Sequence, residues 1–297
     1  MPLSTHTDKT YVMGTQIEIK IVSSASKINI DNILQDSINI FHQISTRYSR
    51  FTDSSELSIV NKSQGKLIYI SPELFQLIKV SLKLYEDTKG VFDPTIIDFL
   101  EAYGYNKKYN FDKLNSKNLN NEIKKLVSTR PSFKEIQLNA ADKTIKLAQN
   151  QKIDLGGIAK GYAIRKVKNL LLDNNFQNFT ISAGGDVYAN GYKDNGNKWK
   201  AALFNPQKSI NSQKTEIYKV INLHNEAFAS SGSWARKIGK FHHLINPQIG
   251  KPAKIKKPVF IKGKDPLYAD ALATICYLDE KIAQKLFKKY DCEKINV

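Results

Sequence analysis

The chain predicts an α+β fold, with mixed α/β as the nearest alternative, and three patterns carry that expectation. Residues 15–22 alternate apolar and polar side chains, with Ile17, Ile19 and Ile21 on one face, as a half-buried strand requires. Residues 31–48 repeat Ile33, Leu34, Ile38, Phe41 and Ile44 at helical spacing. Farther along, long helical stretches interleave with short, hairpin-like strands.

Each element has a local reason. The second helix is the best punctuated: Ser71 can cap it, Pro72 suits its first turn, Leu74, Leu77, Ile78 and Leu82 share a face, and Gly90 lies past its end. Residues 105–129 are rich in Asn and Lys and poor in apolar side chains, which reads as a surface excursion. A third helix over residues 159–172 starts directly from the segment Asp154-Leu155-Gly156-Gly157-Ile158. Strands are expected at 178–182, 187–190, 198–204 and 217–223, and consecutive helices at 265–278 and 279–290. Residues 251–264, rich in Lys, read as a surface loop, and residues 1–12 as a polar tail before a single domain spanning 13–292. No short-period repeat or low-complexity linker divides the chain.

Composition narrows the function classes. The 297 residues include 45 basic and 28 acidic side chains, a net charge of +17, with 41% hydrophobic residues. That is a globular chain with an excess charge that attracts anions such as phosphorylated ligands. The lysines are scattered, and no basic helix with interleaved aromatics appears, so nucleic acid is not the expected partner. Two cysteines, Cys276 and Cys292, form neither a zinc motif nor a disulfide framework. The first ten residues lack the apolar stretch of an export signal, and no run is long enough to span a bilayer. As written the chain reads as soluble and cytoplasmic; export or lipid anchorage through a segment absent from it is the alternative.

Several motifs point to a metal and a phosphate. Asp270 and Thr274 are four residues apart in an expected helix, so a carboxylate and a hydroxyl share one face, the donor chemistry of Mg²⁺. The glycines of Asp154–Gly161 let backbone groups approach an ion, and a helix N-terminus beside Lys160 favours an anion. It is neither a dinucleotide fingerprint nor a P-loop. Ala183-Gly184-Gly185-Asp186 reads as a hairpin turn, and the hydroxyl-rich Phe228–Arg236 as a turn suited to phosphate or ribose. Arg47-Tyr48-Ser49-Arg50-Phe51 sets aromatics between arginines, fit for ring stacking and phosphate pairing. Val91-Phe92-Asp93-Pro94-Thr95 reads as an exposed turn with an acid at its centre, and His242-His243 adds a candidate general base.

The order of these motifs resembles the ApbE family, the FAD:protein FMN transferases. The resemblance runs from Met13-Gly14-Thr15 through Ser55-Glu56-Leu57, Gly90–Thr95, Tyr103-Gly104-Tyr105, Asp154–Gly161, Gly184-Gly185-Asp186, Ser231-Gly232 and His243–Pro247 to Ala269–Thr274. It implies two interlocked α+β lobes with FAD between them. It further implies a Mg²⁺-dependent enzyme that cleaves FAD, passes FMN to a Thr or Ser hydroxyl of an acceptor protein and releases AMP. By position, Gly157 (main-chain oxygen), Asp270 and Thr274 would hold the metal. Met13, Tyr48, Val91, Phe92, Asp93, Asp154, Lys160 and His243 would contact FAD, with Tyr48 over the isoalloxazine. His243 would activate the acceptor hydroxyl and Lys160 would offset phosphate charge. The chain departs from the family pattern at Tyr103, Ser233 and Asn246. An FAD pyrophosphatase on the same scaffold, or a non-catalytic flavin or nucleic-acid binder, are the competing expectations.

Overall fold

Strict alternation in the first long strands produces a sheet with two different faces. The computed structural model of the chain describes residues 3–116 and 118–297. The chain begins with β1 (Ser4–Val12), β2 (Thr15–Ser23), α1 (Lys27–Tyr48), α2 (Glu56–Asn61), β3 (Ile68–Tyr69) and α3 (Pro72–Asp87). Next come α4 (Ile97–Ala102), α5 (Leu119–Thr129), β4 (Gln137–Asn139), β5 (Thr144–Lys146), α6 (Ala159–Asp173), β6 (Phe179–Ala183), β7 (Asp186–Asn190) and β8 (Trp199–Phe204). They are followed by α7 (Pro206–Ser212), β9 (Ile217–Leu223), β10 (Glu226–Ser231), β11 (Ile245–Asn246) and β12 (Lys251–Pro252). The chain closes with β13 (Val259–Gly263), α8 (Pro266–Leu278), α9 (Glu280–Phe287) and β14 (Cys292–Lys294).

The expected α+β class holds. A seven-stranded antiparallel sheet runs in the order β1-β2-β6-β7-β10-β13-β14. Helices α1, α6 and α8 pack on one face, where Ile17, Ile19, Ile21, Ala227, Ala229 and Ile261 join the main core. The alternate residues Val22, Phe228 and Phe260 point the other way, onto Trp199, Leu203 and Leu223 of the β8–β9 hairpin. Ile17, Ile19 and Ile21 are each 0% exposed, and such burial stabilises the fold by roughly 1.5–3 kcal/mol per side chain.

The helix signals are realised closely. Ser71 accepts from Leu74 N at 3.1 Å, with Pro72 in the first turn. Asp265 caps α8 and Asp279 caps α9, each accepting a backbone N–H two or three residues on. The Gly184–Gly185 turn joins β6 to β7 with Ala183 paired to Asp186, and both glycines have positive φ (62° and 98°). That is the backbone of a two-residue hairpin, which a side chain at both positions would strain.

Three expectations change. Residues 4–12, read as a polar tail, form β1 and pair with β2 along nine positions. Residues 259–263, read within a surface loop, form an interior strand between β10 and β14, with Val259, Phe260 and Ile261 buried. The excursion at 105–129 carries a small core of its own, in which Leu119 and Ile123 of α5 meet Phe99, Tyr103, Tyr105 and Ile245. Local composition hid these elements because their burial comes from partners distant in sequence.

The approach of α6 to α8 positions everything that follows. A Cβ on Gly161 would lie 2.5 Å from Pro266 O and 2.8 Å from Asp270 Cβ, so only glycine allows this contact. Gly161→Ala is therefore expected to destabilise the protein by about 1–3 kcal/mol in urea unfolding, despite alanine's better helix propensity. A stabilised variant would show that the two helices are not packed this closely.

Candidate functional site

Helix α6 begins where the glycine segment ends, and its first turn carries Lys160 into a buried pair of carboxylates. Lys160 Nζ donates to Asp186 Oδ2 at 2.6 Å and to Asp270 Oδ1 at 3.2 Å. Asp270 Oδ2 accepts the Gly161 N–H at 2.9 Å, and Asp186 Oδ1 accepts the Ser230 N–H at 2.9 Å. Next to Ser230, the Ser231 hydroxyl sits 3.2 Å from Thr274 Oγ1, one helical turn after Asp270 on α8. Elements α6, α8, β7 and β10 thus converge on one ion cluster. Burial opposes the charge on Lys160, but the Asp186 and Asp270 carboxylates outweigh it and raise the lysine's pKa. Burial likewise pushes the Asp186 carboxyl upward, against the pull of Lys160.

The oxygens gathered around Lys160 belong to two carboxylates, with the Thr274 hydroxyl one helical turn along α8 and the Ser231 hydroxyl beside it, and the glycine turn precedes Lys160 in the chain. An all-oxygen set of this kind fits a hard divalent cation and not a soft or imidazole-preferring one. Among the described residues no group of three or more His, Cys, Asp or Glu side chains is arranged as a metal cluster, so any such ion would rely on hydroxyl and main-chain oxygens.

A second network leads from the glycine turn to the histidines. Asp154 Oδ1 accepts the Gly156 N–H at 2.7 Å, while its Oδ2 forms an ion pair with Arg50 Nε at 2.8 Å. Arg50 Nη2 donates to the carbonyl of Tyr105, whose ring lies edge-on to His243 with centroids 6.3 Å apart. The Tyr105 hydroxyl donates to Arg236 O at 2.6 Å. Burial drives the His243 pKa down to about 3, and the charges of Arg236, His242 and Lys160 act in the same direction. The imidazole is therefore neutral at pH 7. Its Nδ1 is buried and has no hydrogen-bond partner among the described residues, an unsatisfied polar atom that the fold itself does not account for. His242 is used differently: its Nδ1 accepts from Leu244 N at 3.2 Å and its Nε2 reaches Ala253 O at 2.7 Å, so it anchors the loop that carries His243.

The other expected residues divide into two groups. Met13 lies at the β1–β2 turn with φ 57°, next to Gly14, which faces Arg236 Nη2 at 4.0 Å from its virtual Cβ. The same end of the sheet holds the Gly184 turn, packed against Thr15, so Met13 belongs at the rim of the cluster. Phe92 lies against Gly157, 3.5 Å from where its Cβ would be. Asp154 N donates to Pro94 O at 2.7 Å, which fastens the segment containing Val91 to the glycine turn. That segment is not an exposed turn: Val91, Phe92, Asp93 and Thr95 are all buried. The Asp93 carboxylate is occupied internally, accepting from Thr95 N and Oγ1 and pairing with Arg130 at 2.8 Å. Its side chain therefore holds the segment in shape through Thr95 and Arg130.

Tyr48, expected over the isoalloxazine, lies behind the glycine turn in the main core. It is 5% exposed within the main core, and its hydroxyl donates to Glu73 Oε2 at 2.8 Å. Glu73 gathers Arg47, Tyr48, Tyr162 and Lys166, which ties α1, α3 and α6 together. The half-buried aromatic of the same motif is Phe51, with the Arg50 guanidinium 4.1 Å over its ring.

Sequence reading missed Asp186 and Arg50 as charged partners. Both stood inside motifs already singled out, but nothing local pairs Asp186 with a lysine 26 positions earlier. Only the packing of α6 on the sheet does so.

Fold and site together define an α+β protein with an acid–lysine–acid cluster at a glycine turn and a neutral histidine linked to the same turn. The chain belongs to the ApbE family, whose model matches residues 13–295. It is 26% identical over 250 residues to an FAD:protein FMN transferase of Buchnera aphidicola, covering 81% of this chain and 69% of that one. It is 27% identical over 288 residues to an FAD:protein FMN transferase of Chlamydia pneumoniae, covering 92% and 82%. The crystal structure of the ApbE protein of Thermotoga maritima superposes with a TM-score of 0.84 at 26% identity over 98% of this chain and 93% of that one. The flavin transferase ApbE of Vibrio cholerae shares the fold, with a TM-score of 0.83 at 19% identity over 98% and 92%.

The His243 shift has a measurable sign. Unfolded, the imidazole takes a proton near pH 6.5; folded, it does so only near pH 3. Between those values the unfolded state binds the extra proton, so stability falls as pH drops below about 6.5. In urea unfolding, wild type is expected to lose on the order of 1 kcal/mol per pH unit more than His243→Gln between about pH 6 and pH 4. Parallel pH profiles for the two proteins would contradict the shift.

Proposed function

We propose that this chain is an FAD:protein FMN transferase that attaches FMN to a Thr or Ser hydroxyl of an acceptor protein and releases AMP. The observation that carries this reading is a pair of networks that meet at the start of α6: the Asp186–Lys160–Asp270 cluster in its first turn and, from Asp154 and Gly156 just before it, the contacts through Arg50 to Tyr105 and His243. The family membership and the named relatives support it.

In this reading the diphosphate of FAD lies against the N-terminus of α6, which has no side-chain cap and whose positive dipole end favours an anion. Lys160 holds a full positive charge beside it and offsets the charge that gathers on the bridging oxygen as AMP departs. Mg²⁺, held by Asp270, Thr274 and the main-chain oxygen of Gly157, would supply further neutralisation of the diphosphate. His243, kept neutral, accepts the proton of the acceptor hydroxyl as its oxygen bonds to the phosphorus of the FMN half. The bond from that phosphorus to the bridging oxygen breaks, and AMP carries the electron pair away. A positioned base of this kind is worth about 10²–10⁴-fold in rate. Phe51 and the rim at Met13 provide the apolar and aromatic surface that a flavin ring requires.

The test is incubation of the protein with FAD, Mg²⁺ and a Thr-bearing acceptor, followed by in-gel flavin fluorescence. A fluorescent acceptor band is expected; free FMN and AMP without it would mean hydrolysis instead of transfer. His243→Ala should keep FAD binding while transfer falls about 10²–10⁴-fold. Asp270→Ala should lose transfer and its Mg²⁺ dependence together, and full Mg²⁺-stimulated activity in that variant would remove Asp270 from the metal site.

A further inference from the structure

Asp186 stood outside the metal and flavin residues expected from the sequence, yet it makes the shortest contact in the cluster. Lys160 Nζ lies 2.6 Å from Asp186 Oδ2 and 3.2 Å from Asp270 Oδ1. The second Asp186 oxygen is taken by Ser230 N, and its side chain is 4% exposed. Both of its oxygens are therefore committed to the protein. Asp270 differs: its Oδ2 is fixed by Gly161 N, but its Oδ1 is held only by the longer contact to Lys160, on the helix face it shares with Thr274.

We propose that Asp186 is a positioning residue that holds the Lys160 ammonium off Asp270, leaving one Asp270 oxygen for a divalent cation and aiming the lysine at the phosphate of the ligand. This rests on the metal and FAD assignments made above. Two buried carboxylates share one ammonium, so the cluster is short of one positive charge. Without the Asp186 charge, Asp270 becomes the single carboxylate within reach of the ammonium in this cluster, and low-dielectric attraction draws Lys160 fully onto it. The lysine then competes with the cation for the same oxygen. Losing a carboxylate that is not a ligand thereby weakens cation binding through the lysine.

Calorimetric titration of Mg²⁺ into the purified full chain tests this without using activity. Asp186→Asn is expected to bind Mg²⁺ about ten- to a hundredfold more weakly than wild type. The double variant Asp186→Asn with Lys160→Met should regain most of that affinity, because the competing ammonium is gone. A double variant as weak as the single one would mean that Asp186 ligates the metal itself, and would overturn the proposal. Unchanged affinity in Asp186→Asn would also overturn it. Should thermal unfolding show that Asp186→Asn does not fold, Asp186→Glu replaces it. That variant keeps the charge but moves the ammonium, so Mg²⁺ affinity near wild type with a lowered kcat is expected. Lost affinity or an undiminished kcat would contradict the inference. A wild-type chain that takes up no Mg²⁺ would overturn the metal assignment and this inference with it.

Discussion

The ion cluster centred on Lys160 is the constraint on which the rest of the molecule depends. Asp186 belongs to the sheet, Asp270 to α8 and Lys160 to α6, so three elements meet at one ammonium group. Buried charges are tolerated only when paired and hydrogen-bonded, and here every carboxylate oxygen has a donor. Deleting one member of such a set costs about 3–5 kcal/mol, because its partner is left buried and uncompensated. The same shortage of positive charge that makes the cluster costly to build makes it receptive to a cation.

Close packing around that cluster depends on backbone without side chains. Gly161 lets α8 approach α6 until Asp270 can accept a main-chain N–H of the neighbouring helix. Gly184 lets Thr15 of the first hairpin sit against the turn that launches Asp186, where a Cβ would come within 2.6 Å of Thr15 Oγ1. These two glycines bring the rim at Met13 and the centre at Lys160 into one place. Farther out, Glu73 fixes α1, α3 and α6 behind the site, and the carboxylate is held down to about 2, burial notwithstanding, by Lys166, Tyr162 and Tyr48.

Much of this was legible in one dimension, and the parts that were not share a cause. Helices with caps and spaced apolar residues, such as α3 and α8, were readable because their signals are local. So were Asp270, Thr274 and Lys160, since the i, i+4 relation and the glycine-to-helix junction are both written in adjacent residues. Strand β13 escaped because the lysines flanking Val259–Ile261 dominate its neighbourhood, while its pairing partners are residues 227–231 and 292–294. Nothing local foretells that the Tyr48 hydroxyl reaches Glu73 or that the Asp93 carboxylate pairs with Arg130 and Thr95. Side-chain direction, unlike residue type, is decided by packing.

Strand β1 carries a consequence of another kind. It lies at the margin of the seven-stranded sheet, so the outward-facing amides and carbonyls of alternate residues along Ser4–Val12 have no strand partner among the described residues. Such a margin is a template for joining a second molecule, strand to strand, and apolar margins do so readily. Here Lys9 and Asp8 sit among threonines, and Lys9 is tied to Glu18 of β2 at 2.6 Å. The polarity that makes this segment read as a tail is the charged, hydroxyl-rich composition by which edge strands discourage strand-to-strand joining.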